Sequence, residues 1–582
     1  MPYNSMQCNQ DFFPQASAGH QYPFYDSLLS YNSYNPMQQP GGSFNRLSYD
    51  QPFNPMQAYQ PFQVPHSGLL QQDLKPFVSI SFGNHTERTS VAFGGNPSWN
   101  EQIELDWEAG KNRLQSGFIG MDKEEYLFIN IFDENFKVEE TDNPDERRTS
   151  TSKHWVGGSV IPLSSLLIAK QIEGQIHLKV PPLLMGYKST QDSNPATLEL
   201  YIQIDAIYSK PEKGKQQLMC HEDTQEVTAC ESLLADISKF RPGRNFPALV
   251  SDFKGETYFL CRFISPLPLP HGMHSEQLSL EQMMRRMARY VSMIPYQSDK
   301  ISFAGMYDLW SNNAEFLSCL IGDDEEHALL LIAYFLQLNV PIVRLVFGES
   351  MESGEAVWVL SKSDESSVGT LWNPVNGRFF RITDPTVPLT SITCMADKSN
   401  IYYNTQTETH PNRVDWSINN WRKLWSGTKG DLPTIQPLEI QYTPPDNSLA
   451  SREARKIEAD IKLKIREWRP GYLTKYRTDV AAKMRDILEK IEHEEMCGNR
   501  ITQEYAGRLL EPIRRKFPRH EIVGFPLHLP MTPIQNILDA VQSVELHKTI
   551  NHRAEFAVAV SVRPYPAAVH SLWVYLAQFT PK

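Results

Sequence analysis

The chain has 582 residues, more than one hydrophobic core organises, and at roughly 150 residues per domain this predicts three or four units. It is 41% hydrophobic and 21% charged, with 56 basic against 68 acidic residues and a net charge of −12. That balance argues against a nonspecific nucleic-acid binder, which needs a basic surface. The seven cysteines, at 8, 220, 230, 261, 319, 394 and 497, form no CxxC pair, so neither a disulfide framework nor a zinc site is indicated. His271 and His274 form an HxxH, but they lie in a proline-rich run without a nearby cysteine, and no metal or other cofactor is expected. The first residues, MPYNSMQCNQ, lack the basic start and apolar run of a signal peptide. No apolar run approaches the roughly 20 residues of a membrane span. The expectation is a cytoplasmic chain with reduced cysteines.

Residues 1–70 are rich in Gln, Asn, Pro, Tyr and Phe, contain no lysine and carry Arg46 as their one arginine. Such a tract predicts a disordered tail. Over 71–208 the pattern is that of a β-sandwich, with strands expected at 77–82, 102–105, 126–132 and 197–204. Residues 209–275 are expected to be linker and connecting chain. Over 276–430, helical spacing at 280–294 and 325–338 is followed by short strands at 342–347, 357–360 and 370–372, the mark of an α+β domain. Residues 431–582 form a helical and β-hairpin region expected to pack on the preceding domain. It holds an amphipathic helix at 452–468 with Ile457, Ile461, Ile465 and Trp468 on one stripe, a second at 480–494, and alternating strands at 556–562 and 572–576. The basic charge of the first helix is interspersed with Glu and Asp, so it reads as a solvated face and not a nucleic-acid surface.

The run Gly94-Gly95-Asn96-Pro97-Ser98-Trp99-Asn100-Glu101 resembles a signature of C2 domains, in which the Asn-Pro turn and the tryptophan seat a strand against the sandwich. Phe132-Asp133-Glu134-Asn135 matches the strand end that delivers calcium-binding acids in such domains. Calcium takes roughly six to eight oxygens from several loops. Here Asp133 is the one residual calcium-loop acid, because Asn135 stands where its Asp partner belongs. The acids that follow, Glu139, Glu140, Asp142, Asp145 and Glu146, have no fixed spacing. With no recognisable first strand before Phe77, the segment reads as a calcium-independent C2 module.

Residues 321–344, from Ile321-Gly322-Asp323-Asp324 through an apolar helix to Pro341-Ile342-Val343-Arg344, resemble an element of transglutaminase-like (papain-like) proteins. There a cysteine at a helix N-terminus has its thiolate stabilised by the helix dipole. A histidine on the next strand activates it, and an aspartate on the strand after orients the histidine. Carried over by resemblance, the three positions fall on Asp324, Ala356 and Asn373, and all three are replaced. Losing even one member of such a unit can cost on the order of a million-fold in rate. Cys319 lies five residues upstream of Asp324 and reads as a core thiol, and His327 as a hydrogen-bonded structural residue. Asp323 or Asp324 can cap the helix.

Together the segments resemble the coiled-coil and C2 domain-containing protein 2A family over about 75–582. The runs that carry this include Pro97-Ser98-Trp99-Asn100-Glu101, His154-Trp155-Val156-Gly157, Ser302-Phe303-Ala304-Gly305 and Asp324-Glu325-Glu326-His327-Ala328. Leu371-Trp372-Asn373-Pro374, Trp468-Arg469-Pro470, Gly524-Phe525-Pro526-Leu527-His528 and Val562-Arg563-Pro564-Tyr565-Pro566 continue it. The long coiled-coil half typical of the family is not in this sequence. The resemblance implies a non-enzymatic scaffold at the base of the cilium, in the transition zone and basal body, required for cilium assembly and gating. It implies work with tectonic-like membrane proteins and B9-type C2 proteins; tubulin tails and membrane lipid are further candidate partners. Two rival readings are a calcium-regulated membrane-binding C2 protein and an active thiol peptidase or transglutaminase.

Overall fold

The computed structural model describes residues 74–83, 85–105, 123–140, 147–185, 196–204, 219–303, 308–427 and 432–582. The tail expected over 1–70 and the acids Asp142, Asp145 and Glu146 lie outside these residues.

The first unit is a β-sandwich. Strands β1 (Pro76–Phe82), β2 (His85–Arg88), β3 (Tyr126–Glu140) and β4 (Arg147–Pro162) form one sheet in the order β2-β1-β3-β4. A short helix, α1 (Leu163–Ala169), leads to the second sheet, β5 (Gln171–His177) paired with β6 (Thr197–Gln203). Side chains alternate along β3. Leu127, Ile129 and Ile131 meet Ile172, Ile176 and Leu198 of the second sheet. Tyr126, Phe128 and Phe132 point the other way, into a core shared with Phe525 and Leu527 near the C-terminus. Both faces of the sheet are therefore covered, which is why β3 is apolar on both sides of the strand over 126–132 apart from Asn130. The strand expected at 102–105 is absent: residues 101–105 are irregular. Pro97 has no N–H for a ladder, and Asn100 sits at φ 47°, which turns the chain off an extended path. Trp99 still packs against the sandwich core.

Residues 219–275, expected to be linker, are an integral part of the second unit. They carry β7 (Met219–Cys220), α2 (Thr224–Phe240), β8 (Leu249–Asp252) and β9 (Glu256–Phe259). Asp223 caps α2 by accepting from the N–H groups of Gln225 (2.9 Å) and Glu226 (3.2 Å). Cys230, Ile237, Phe246 and Phe259 then enter one core with the helices that follow. A long polar start masks these sparse anchors in the sequence. If this packing holds the segment, Ile237→Val should lower unfolding stability by about 0.5–1.5 kcal/mol, measured by urea titration. An unchanged midpoint would return the segment to a connecting role.

The rest of this unit comprises α3 (Leu280–Ser292), α4 (Asp299–Ser302), β10 (Leu309–Trp310), α5 (Asn313–Cys319) and α6 (Asp324–Gln337), then β11 (Ile342–Ser350), β12 (Gly354–Lys362), β13 (Thr370–Trp372), β14 (Phe379–Arg381), β15 (Leu389–Ala396), β16 (Ile401–Tyr403) and β17 (Arg422–Lys423). A seven-stranded sheet runs β14-β13-β12-β11-β15-β16-β17, and a small one β10-β8-β9-β7. Helix α6 is buried almost all round, as its sequence demands, since a helix apolar on every side must lie inside a core. It packs on the face of the large sheet that carries Val357, Val359 and Trp372. Trp358, Leu360 and Leu371 fill a separate core on the opposite face.

The third unit has three layers. Its sheet runs β18-β20-β21-β19, from β18 (Lys475–Tyr476), β19 (His520–Leu529), β20 (Glu555–Pro564) and β21 (His570–Pro581). Helices α7 (Asn447–Glu467) and α10 (Ile534–Ser543) cover the face bearing Val558, Val560 and Val574. Helices α8 (Thr478–Met496) and α9 (Gln503–Lys516) cover the other. There the small residues Ala557, Ala559 and Ala577 let α8 approach the sheet closely. The unit is tied to the second by Tyr290, whose hydroxyl donates to the Pro566 carbonyl (2.9 Å), and by Arg286, which donates to the Met496 carbonyl (2.7 Å).

Candidate functional site

The chain enters α6 through Gly322, where an added Cβ would lie 2.8 Å from the Phe316 ring. Asp323 then caps the helix, accepting from the Glu325 N–H (3.3 Å), while Glu326 returns a bond from the Asp323 N–H (3.1 Å). This capping box, with Asp324, Glu325 and Glu326 in the first turn, suits the positive end of the helix dipole. In a thiol enzyme the nucleophile would occupy the place of Asp324. Here Asp324 is 4% exposed, and its Oδ1 accepts from the Ser353 hydroxyl at 3.3 Å. Burial pushes its carboxyl well above the ordinary aspartate range, and Asp323 and Glu352 push the same way.

Asn373 follows β13 and is buried. Its Oδ1 accepts from the Val375 N–H (3.0 Å) and its Nδ2 reaches Glu352 Oε2 at 3.5 Å, beside the firmer bond from Asn376 (2.9 Å). Thus Asp324 and Asn373 belong to one buried polar patch, joined through Ser353 and Glu352. Ala356 does not: it shares the core on the far side of the sheet with Trp358 and Leu360. Strand parity gives the reason, since Val357 and Val359 face α6 and the alternate residues must face away. Its assignment to the histidine position is corrected accordingly. Ser353 and Glu352, missed in the sequence, are the groups that meet Asp324 and Asn373. The parity of Val357 and Val359 beneath an apolar helix was the signal that could have found them.

The sandwich roofs this patch. Helix α1 packs against β12. Met351 and Ile301 sit in the sandwich core. A Cβ at Gly174 of β5 would lie 3.1 Å from the Met351 sulfur. His177 at the end of β5 lies 2.5 Å from the Thr386 carbonyl, and burial, with Arg378 nearby, pushes its pKa down to about 4. The ring is therefore neutral and donates that bond from Nε2. Beneath the roof Glu352 is 3% and Asn373 5% exposed.

Neither remaining candidate replaces the nucleophile. Burial, with Glu326 and Glu315, pushes the Cys319 thiol up to about 11, so it is protonated at neutral pH. Both ring nitrogens of His327 face backbone carbonyls, of Asp323 (2.6 Å) and Ile294 (2.9 Å), in a fully buried setting. Among the described residues, the carboxylates of Asp299, Asp308 and Asp323 come within 4.8 Å of one another, an oxygen set of the kind hard cations use. On the sandwich, Asp133 is buried within β3. Its Oδ1 accepts from the Lys75 N–H (2.9 Å) and its Oδ2 from the Asn135 amide (3.1 Å), so both oxygens already have protein donors.

This architecture defines a C2 protein with an α+β peptidase-like domain of the transglutaminase type. Family models match in the same order: C2 domain over residues 63–178, CEP76 peptidase-like domain over 308–426, and the C-terminal domain of centrosomal protein of 76 kDa over 447–580. The chain is similar over most of its length to members of the coiled-coil and C2 domain-containing protein 2 group. It is 29% identical over 538 residues to human Protein CC2D2B, covering 88% of this chain and 36% of that protein. It is 26% identical over 538 residues to Drosophila melanogaster coiled-coil and C2 domain-containing protein 2A, covering 88% and 39%. The chain thus spans somewhat more than a third of the length of these relatives. Two solved chains of Legionella pneumophila LapG, one calcium-bound, cover 22% and 24% of this chain and 71% and 78% of their own at 13% and 12% identity. Both have a TM-score of 0.20, a superposition too slight to carry an argument.

Proposed function

We propose that the chain is a non-catalytic scaffold of the ciliary base, in the transition zone and basal body, that acts by binding proteins and membrane. The observation that carries the non-catalytic part is a buried carboxylic acid, Asp324, at the nucleophile's place beneath the sandwich. A carboxyl closed off from solvent, without a histidine beside it, offers no thiol chemistry and no entry for a substrate chain. The cytoskeletal location and the partners, tectonic-like membrane proteins and B9-type C2 proteins, follow from family resemblance. Tubulin tails and lipid are secondary partners in the same reading.

Two measurements test it. Iodoacetamide labelling of the native chain at pH 7.5 should modify Cys319 more slowly than the exposed Cys220, because the former is almost wholly protonated. A Cys319 that reacts fastest would restore the enzyme reading. Imaging of the tagged chain in ciliated cells should give a compact signal just distal to the basal body, and a diffuse cytosolic signal would remove the scaffold from that place.

A further inference from the structure

The three units meet around a cavity of about 370 Å³. Five cations line it: Lys179 from the sandwich, Arg285, Arg289 and Arg378 from the peptidase-like unit, and Arg500 from the third unit. Glu495 is the one acid in the lining. Three carboxylates pair with the lining arginines, Glu281 with Arg285 and Glu492 and Glu495 with Arg289, so in a chain whose net charge is −12 the cavity still gathers five positive groups against three acids. The fold holds the cations in place. Arg289 engages Glu492 and Glu495, and Arg285 donates to the Gly498 carbonyl (3.2 Å) and stacks over the Phe379 ring. Lys179 Nζ donates to the His528 carbonyl (3.2 Å). The Nε donors of Arg285 and Arg289 are buried without a protein acceptor. Trp155, Trp573 and Phe379 supply apolar wall, which lowers the local dielectric and strengthens attraction for a counter-charge.

We propose that this interdomain cavity binds a compact polyphosphate anion of the inositol-polyphosphate class, either free or as a lipid headgroup. The cations converge from three units on one partly open cavity of about 370 Å³, which suits a compact anion with charge on several sides. Guanidinium forks match phosphate oxygens in pairs, and four of the five cations are arginines. Burial and the neighbouring arginines press the Lys179 ammonium well below its usual range, a cost that an anion in the cavity would remove. Bound there, the ligand would clamp the three units together.

The test uses the purified chain with inositol hexakisphosphate as probe, read by calorimetry and thermal shift. The expected result is one site per chain, micromolar affinity, a midpoint raised by several degrees, and weakening with salt. Arg500→Glu, an exposed change at the cavity that leaves the cores alone, should cut affinity at least tenfold with the unliganded midpoint kept. Arg378→Gln should do likewise. Vesicles carrying a phosphatidylinositol bisphosphate, compared with phosphatidylserine vesicles of equal charge, separate the sources. Co-sedimentation competed by the free hexakisphosphate assigns a headgroup, and binding of the free anion alone assigns a soluble ligand. No midpoint shift, a shift that Arg500→Glu and Arg378→Gln both leave unchanged, or equal binding of polyglutamate overturns the proposal.

Discussion

Glu492→Ala is expected to destabilise the chain by about 3–5 kcal/mol, the range for breaking a buried ion pair from one side. Glu492 lies on α8 and is 1% exposed. Its carboxylate accepts from the Tyr565 hydroxyl (2.5 Å), the Ser571 hydroxyl (2.7 Å) and the Trp573 indole (2.8 Å), and it pairs with Arg289 of α3. Burial alone would raise its pKa, but Arg289 and the three neutral donors outweigh burial and hold it below the usual glutamate range. A depressed folded pKa stabilises above the unfolded value near 4.3 and loses that contribution as pH falls through the folded one. The wild-type chain should therefore lose part of its stability in acid, and the alanine variant should lack that part of the pH dependence. Removing the carboxylate leaves Arg289 with Glu495 alone and strands three buried donors. Glu492→Gln keeps the shape and one acceptor oxygen, so it should fall between wild type and alanine. Chemical unfolding followed by tryptophan fluorescence, with Trp573 as a local reporter, checks the order. An alanine variant within about 1 kcal/mol of wild type would mean that the network is dispensable, since that is the scale of an ordinary substitution.

Much of this architecture is legible in the sequence, and what is not has physical causes. The apolar helix α6, the stripe of Ile457, Ile461 and Ile465, and the alternation of Val558, Val560 and Val562 announce their elements because each buries a regular pattern. Helix α2 has a sparse apolar pattern, α9 holds Pro512 in its interior and α10 is only ten residues long, and all three escaped, as did β19, whose run is broken by Gly524 and Pro526. Pro526 was compatible with a strand because β19 is at the sheet's edge. Asp324 is placed by resemblance, through a local run, Gly322-Asp323-Asp324, that opens an apolar helix. Ala356 was misplaced because one residue of register exchanges the faces of a strand, and only the packing of Val357 against α6 fixes that register. The cationic cavity was invisible because Lys179, Arg378 and Arg500 are far apart in the chain and meet only when three units assemble.

Asp324→Asn is expected to stabilise the chain at pH 8 by about 1–3 kcal/mol, the scale of an uncompensated buried polar group. Asp299 and Glu326 are also buried, and burial followed by the charge on Asp323 pushes both carboxyls well above their usual range. For an acid whose folded pKa is raised, the folded state binds more protons than the unfolded one. Its contribution is fully present below the unfolded value near 3.9 and is lost as pH rises through the folded value. The parent should therefore lose stability from acid toward pH 8, and the asparagine variant should follow a flatter curve that meets the parent's near pH 4. The amide keeps an oxygen for the Ser353 hydroxyl, whose bond to Oδ1 spans 3.3 Å, so packing changes little. In an active thiol enzyme the helix start is tuned to hold a negative charge, and a neutral residue there weakens the site. Here a neutral residue should strengthen the fold, because the same position has become part of an interior. An asparagine variant no more stable than the parent at pH 8 would show that the ionised Asp324 carboxylate is already compensated in the fold, by its hydrogen bonds or by a bound cation. Repeating the comparison in chelator separates those two: only a cation makes the parent's midpoint fall when the chelator is added.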